Sequence, residues 1–284
     1  MILIDTMQIS LANISMAYKV YGDEINEGYV RHMILNSIRN YNKQYKEEYG
    51  ELVLCYDGGK NWRKSVFPEY KANRKKNREE SSLDWGQIFD WIHGIKDEIR
   101  ENFPYRVVHV DEAEADDCIA VLARESHPFE KHIIISSDKD FVQLHSITGL
   151  KQFDPIRKRW ITGDPAESLS NKIFYGDKGD GVPNILSDNQ VFVEGRRQTP
   201  LPKKKYESWK GFEDPTTVLP REVLSNYKRN KTMVDLKAQP RKIEQMIMAN
   251  YGEGVKGRND KIFGYLIDKR LAKLQESVQD FFAN

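Results

Sequence analysis

Cysteine is almost missing from this 284-residue sequence: only Cys55 and Cys118 occur, each inside an apolar segment. That excludes a disulfide framework and a cysteine-built zinc site, and it predicts two reduced thiols packed in a core. Long hydrophobic runs are missing too. The N-terminal apolar stretch is broken by Asp5, too early for a signal peptide or a membrane span, so the chain is expected in a cytoplasm without membrane contact. No P-loop, zincin or nucleophile-elbow motif is present, nor any internal repeat or low-complexity tract. The run Gly252 to Gly257 (GEGVKG) has the spacing of a dinucleotide fingerprint, but it follows a helical pattern rather than a strand and reads as a helix cap and loop. An excess of either charge is also lacking, because 44 Lys and Arg stand against 43 Asp and Glu for a formal net charge of +1. Such a sum can hide an acidic centre and a basic surface that cancel.

What is present suits a globular protein with a heavily charged surface, since hydrophobic residues make up 39% and charged residues 31%. The length fits one larger domain with a smaller appendage. MILID (1–5), ELVLCYD (51–57), YRVVHV (105–110) and HIIIS (132–136) are short runs rich in Val, Ile and Leu and read as buried strands. Helical patterns separate them over 30–49, 87–102 and 115–124, which predicts an α/β fold with a mostly parallel, right-handed central sheet covered on both faces. From about Ser168 the strand signal fades and helical patterns cover 169–175, 220–236, 240–251 and 260–282. The stretch GRRQTPLPKKK (195–205), with two prolines and five basic residues, is expected to be an exposed loop or hinge.

Acidic residues stand at the carboxyl ends of the predicted strands: Asp5 after the first, Asp57 after the second, and Asp138 and Asp140 after the fourth. The third is followed by DEAEADD, which supplies Glu112, Glu114, Asp116 and Asp117 just before an apolar helix. Carboxylates are good helix caps, and capping would explain one or two of these. Four strand ends delivering carboxylate to one edge would repel each other unless cations sat among them. In an open parallel sheet that edge is where ligands bind. Hard oxygen donors of this kind select magnesium or manganese over zinc and point to two-metal phosphoryl chemistry with no protein nucleophile. Asp177 and Asp180 lie in GDKGDGVPNI (176–185), which by itself is equally an ordinary glycine-rich turn.

Between Trp62 and Trp85 the sequence reads WRKSVFPEYKANRKKNREESSLDW, in which Lys71, Arg74, Lys75 and Arg78 share one face of a helix by spacing. A solvated charged face is the usual meaning of such a run. Because it follows the strand ending at Asp57, it is expected to hang a phosphate-attracting stripe over the acids, with Arg63 and Lys64 adding charge. Trp62, Phe67 and Tyr70 read either as stacking surfaces for a frayed base or as packing residues.

The blocks LIDTMQI, LCYDGGKNWRKSVFPEYKANR, EAEADDCIAVLA, IISSDKDFVQLH and GDKGDGVPNI, in this order over residues 2 to 185, resemble the 5′ nuclease (flap endonuclease) superfamily, and most closely its ribonucleases H from T-even-type bacteriophages. The resemblance implies a PIN-like 5′ nuclease domain over 1–185, with a basic arch at 62–85, and a helical C-terminal DNA-binding domain over 186–284. It implies two Mg2+ ions, replaceable by Mn2+, held by Asp5, Asp57, Glu114, Asp116, Asp117, Asp138, Asp140, Asp177 and Asp180. Lys71 and Arg74 match the arch residues that contact the scissile phosphate. The implied activity is 5′ to 3′ exonuclease, flap endonuclease and ribonuclease H cleavage of branched or 5′-ended duplex DNA and RNA–DNA hybrids, in removing primers from lagging-strand fragments. A single-strand-binding protein or a sliding clamp is the implied protein partner of what is expected to be a monomer. The sequence departs from relatives in ILSDNQVFVEG, which lacks the glycines of a cation-binding hairpin. A monovalent-cation site is therefore not expected, and duplex contact passes to Arg196, Arg197, Lys203, Lys204 and Lys205. The sequence also begins almost at its first strand, without the short leader of phage relatives, so a docking function housed in such a leader is not expected.

Three other classes fit parts of the pattern. A PIN-type single-strand ribonuclease would be shorter and lack the helical C-terminal part, and a HAD-type phosphatase would carry a second aspartate two residues after Asp5, where this sequence has Met7. A non-catalytic replication protein would not be expected to keep an acid at every matching position.

Overall fold

The computed structural model describes residues 1–74, 78, 80, 81, 83–126 and 130–283. Its centre is one six-stranded sheet in the order β3-β2-β1-β4-β5-β6. The strands are β1 (Ile2–Asp5), β2 (Leu52–Tyr56), β3 (Arg106–His109), β4 (His132–Ile135), β5 (Leu150–Asp154) and β6 (Arg159–Ile161). The first five run parallel and β6 returns antiparallel to β5. The four expected strands form, and β5 and β6 are additions. Register pairs Asp5 with Cys55 and Ile4 with Ile135, so the acids that follow these strands emerge along one edge.

Successive strand residues face opposite sides, as the period of two requires. Ile2, Ile4, Leu54 and Tyr56 join a core with the helices Glu27–Tyr49, Trp85–Asn102 and Asn259–Asp268. Leu3, Val53 and Cys55 join a second core under the helices Ala115–Glu125 and Arg241–Gly252. Cys55 and Cys118 are buried and free, as expected of packed thiols. A third core gathers Phe67 and Tyr70 with Ile173, Phe174, Val182, Tyr206 and Trp209. The residues beyond 186 thus contribute to all three cores.

Three local expectations are corrected. Residues 6–21, not assigned a helix from the sequence, form one that starts where Asp5 accepts a hydrogen bond from the Gln8 amide. The expected 260–282 helix is divided into Asn259–Asp268, Ala272–Gln275 and Val278–Phe281, with Arg270 at the left-handed φ of 57° closing the first piece. Lys203, Lys204 and Lys205 lie in the first turn of the helix Lys203–Lys210, not in a loop. No helix among the described residues is long and apolar enough to cross a membrane.

Candidate metal centre

Parallel strands bring their carboxyl ends to one edge, and there the acids repel one another. Asp5 accepts hydrogen bonds from the Gln8 amide at 3.1 Å and the Ser136 hydroxyl at 3.1 Å, yet burial and the nearby Asp57 push its pKa up to about 7. Asp57 accepts the Ala115 amide at 2.8 Å and is raised by burial and by Glu114. Asp116 is raised far above the ordinary carboxylate value, by burial and then by Asp138 and Asp5. Asp140 is pushed up to about 7 by burial and by Asp138. Asp5, Asp57, Asp116 and Asp138 have no ion-pair partner among the described residues.

The other acids are neutralised. Glu114 receives Lys71 Nζ at 2.5 Å and the Tyr70 hydroxyl at 2.9 Å. Burial alone would raise it, but Lys71 and Arg63 hold it down at about 2. Asp180 receives an Arg74 guanidinium N–H at 2.8 Å, and the Tyr70 hydroxyl, whose single proton is shared between Glu114 and Asp180, also lies 2.8 Å from it. Lys172, at the end of the helix Pro165–Tyr175, reaches Asp140 at 2.6 Å and also pairs with Asp177, whose pKa it lowers against the effect of burial. The Lys172 contact with Asp140 Oδ1 lacks hydrogen-bond geometry, which leaves that buried oxygen with room for a better partner. Nothing in the strand pattern marks Lys172 as part of the site; its spacing five residues before Asp177 is the only trace.

Asp117 and Arg63 stand apart from this arrangement. Asp117 is fully buried, with its oxygens taken by Arg63 at 2.8 Å on each side, Trp62 Nε1 at 3.0 Å and Gln239 at 3.1 Å. Arg63 is 2% exposed, so the expectation that it contacts nucleic acid is corrected: an N–H fork committed to a buried carboxylate cannot reach a phosphate in solvent. Trp62, Phe67 and Tyr70 are likewise buried and act as packing residues.

The basic stripe is corrected in part. Lys71 has a φ of 56° and sits in a turn, its amide bonded to the Asp180 carbonyl at 2.8 Å, so it does not share a helical face with Arg74 and Arg78. Its ammonium points into the acids instead, while Arg74 stays half exposed beside them and Arg78 covers the Phe89 ring. Lys75 lies outside the described residues. Lys64, Arg197, Lys203, Lys204 and Lys205 are exposed, whereas the exposed Arg196 is paired with Glu194 and Asp188.

The donors left for a cation are oxygens of Asp5, Asp57, Asp116 and Asp138, with Asp140 and the Glu114, Asp177 and Asp180 group beside them. That chemistry fits a hard divalent ion. Among the described residues no three acidic or metal-binding side chains are already gathered closely enough to hold one, and Lys71, Arg74 and Lys172 pair with four of the acids. The fit therefore rests on uncompensated charge and donor type, not on a finished cage.

A parallel sheet with this acidic edge and a basic segment above it is the layout of a phosphodiester-cleaving enzyme. Residues 2–167 match the model of the 5′-3′ exonuclease N-terminal resolvase-like domain, and residues 163–281 match that of the T4 RNase H C-terminal domain. The ribonuclease H of Enterobacteria phage T4 is 36% identical over 98% of this chain and 95% of its own. A flap endonuclease Xni of Shewanella pealeana is 31% identical over 47% of this chain and 52% of its own. Solved structures share the fold: the T5 D15 protein co-crystallised with metal ions (TM-score 0.61, 18% identity, 89% of this chain and 97% of that one). The bacteriophage T5 D15 flap endonuclease in a pseudo-enzyme-product complex with DNA and metal ions is similar too (TM-score 0.62, 19% identity, the same coverage). The chain belongs to the 5′-3′ exonuclease family, in the group of the phage T4 ribonuclease H, and is a nuclease.

Proposed function

We propose that the chain is a magnesium-dependent 5′ to 3′ exonuclease and flap endonuclease with ribonuclease H activity, removing RNA primers and 5′ flaps in its host's cytoplasm. The observation that carries this is the set Asp5, Asp57, Asp116 and Asp138, the first buried and the other three half-buried, which crowd like charges at one edge and have no ion-pair partner among the described residues. The names of the relatives support it: one is a ribonuclease H, others flap endonucleases, and T5 neighbours were crystallised with metal ions and DNA. Branched or 5′-ended duplexes and RNA–DNA hybrids are the proposed substrates.

Asp5, Asp57, Asp116 and Asp138 would hold two Mg2+ ions, with Asp140, Asp177 and Asp180 completing the donors. Bound there, such ions supply a nucleophilic hydroxide and stabilise the departing oxygen. The chain's own residues do the positioning. Lys71 and Arg74, tied to Glu114 and Asp180 at the rim, are placed to turn towards a phosphate entering over the acids. Tyr70, buried between Glu114 and Asp180, fixes the base of that segment against the Asp177–Asp180 loop. Exposed Lys64, Arg78, Arg197 and Lys203 to Lys205 supply backbone contacts outside the centre.

The test is cleavage of a 5′-labelled flap and of an RNA–DNA hybrid, in magnesium and in chelator. Asp138→Asn is expected to abolish cleavage while substrate binding persists. Neutralising Lys71 and Arg74 together should slow turnover by about 10²–10³-fold, the scale of losing a preorganised charge donor. Cleavage that survives the chelator, or an unimpaired Asp138→Asn enzyme, would refute the reading.

A further inference from the structure

We infer that the hairpin joining β5 to β6 is a further nucleic-acid contact, in which Arg157, Lys158 and Arg159 hold backbone phosphates of the strand passing the acidic edge. This rests on the nuclease reading and adds a surface that neither the basic arch nor the C-terminal lysines include. Because β5 runs parallel to β1 and β4, its carboxyl end and the turn after it emerge on the same edge as Asp5 and Asp138. The turn is fastened there by one side chain. Asp154, 1% exposed, accepts the Ser137 hydroxyl at 2.6 Å, the Ile156 amide at 3.0 Å and the Arg157 amide at 2.9 Å through one oxygen. Its other oxygen takes an Arg157 guanidinium N–H at 3.2 Å. Ser137 immediately precedes Asp138, so a single buried carboxylate couples the turn to the metal-binding segment.

From Ile156 to Trp160 every residue is exposed, and three in succession are cations. Arg157 keeps 60% of its side chain in solvent while Asp154 holds one of its N–H groups, which presents the remaining donors in a fixed direction. Lys158 and Arg159 have no ion-pair partner among the described residues. Trp160 steadies the hairpin from behind, its ring meeting Phe153 at 5.4 Å and Tyr45 at 6.4 Å. Arg157 is tied to the fold through Asp154, but no ion pair among the described residues accounts for Lys158 and Arg159 beside it. Their chemistry matches successive phosphates, and it leaves the bases unread.

The experiment is fluorescence-anisotropy titration of a labelled 5′-ended duplex, over a series of salt concentrations in chelator so that nothing is cut. Arg157→Ala/Lys158→Ala/Arg159→Ala should bind roughly tenfold or more weakly near physiological salt and lower the slope of log K against log salt by about 2–3. Arg157→Lys/Arg159→Lys, which keeps the charge, should retain most of the slope and shows that the hairpin still folds. Removing Lys43 and Lys131, two exposed cations towards the amino-terminal edge of the sheet, should leave the slope nearly unchanged. Equal affinity and slope in the triple hairpin variant and the unaltered protein would overturn the inference, as would an equal loss in the variant at the opposite edge. If the unaltered protein binds as expected but cuts nothing in magnesium, it is the proposed function that fails and not this contact.

Discussion

Arg63 and Asp117 look alike in sequence to their functional neighbours, and only burial separates them. Both lie in blocks rich in charge of their own sign, so the run of basic residues puts Arg63 on the expected nucleic-acid surface and the family resemblance puts Asp117 in the metal set. Packing instead closes them into a bidentate pair with Trp62 and Gln239. Breaking such a pair leaves an uncompensated buried charge, so Arg63→Ala is expected to cost about 3–5 kcal/mol in chemical denaturation. Arg63→Lys should recover little, because an ammonium cannot supply the fork. Lys172 is the opposite case: a lone lysine on a helix, with no pattern to mark it, becomes the partner of two acids only when the helix Pro165–Tyr175 packs beside the edge.

At the scale of elements, β1 to β4 were legible because each is an apolar run buried on both faces, as parallel strands between helices must be. The last two strands, β5 and β6, were not. LKQFD alternates buried and exposed residues and carries charge, and RWI is three residues long, so neither reads as a buried run. The arch was legible as a basic segment but not as a turn, since the left-handed Lys71 is imposed by its bond to the Asp180 carbonyl. Gly176 makes the same loop possible: its φ is 72°, and a Cβ there would lie 2.3 Å from the Val182 carbonyl oxygen. Gly176→Ala should therefore lower the melting temperature and depress cleavage together, because it moves Asp177 and Asp180. Asp154 gives the β5–β6 turn a pH signature. Burial would raise its pKa, but Ser137, the Arg157 and Ile156 amides and the Arg157 guanidinium hold it at about 2. A folded value below the unfolded carboxylate value of about 3.9 stabilises the protein above that pH. The contribution is lost as pH falls from about 4 to 2, and Asp154→Asn should flatten that limb of a stability profile.

For the whole molecule the sign is reversed at the acidic edge. Asp5 and Asp140, at about 7, bind more protons folded than unfolded between about 4 and 7. In chelator their contribution to stability falls as pH rises through that window and is lowest above 7. The protein in chelator is thus expected to melt higher at pH 6 than at pH 8 as far as these groups decide. Magnesium should raise the melting temperature at pH 8 more than at pH 6, where protons compete for the same oxygens. The family, the sheet and the acidic blocks could be read from the sequence because they are local. The ion-pair partners could not, because they depend on where distant helices come to rest.

The most direct test is calorimetric titration of Mn2+ into the protein at pH 8. Two bound ions per chain are predicted, with Asp57→Asn and Asp138→Asn each losing affinity while keeping the fold. A chain that binds no divalent ion, or binds it equally well after both substitutions, would contradict the claim that the strand-end acids form a metal centre.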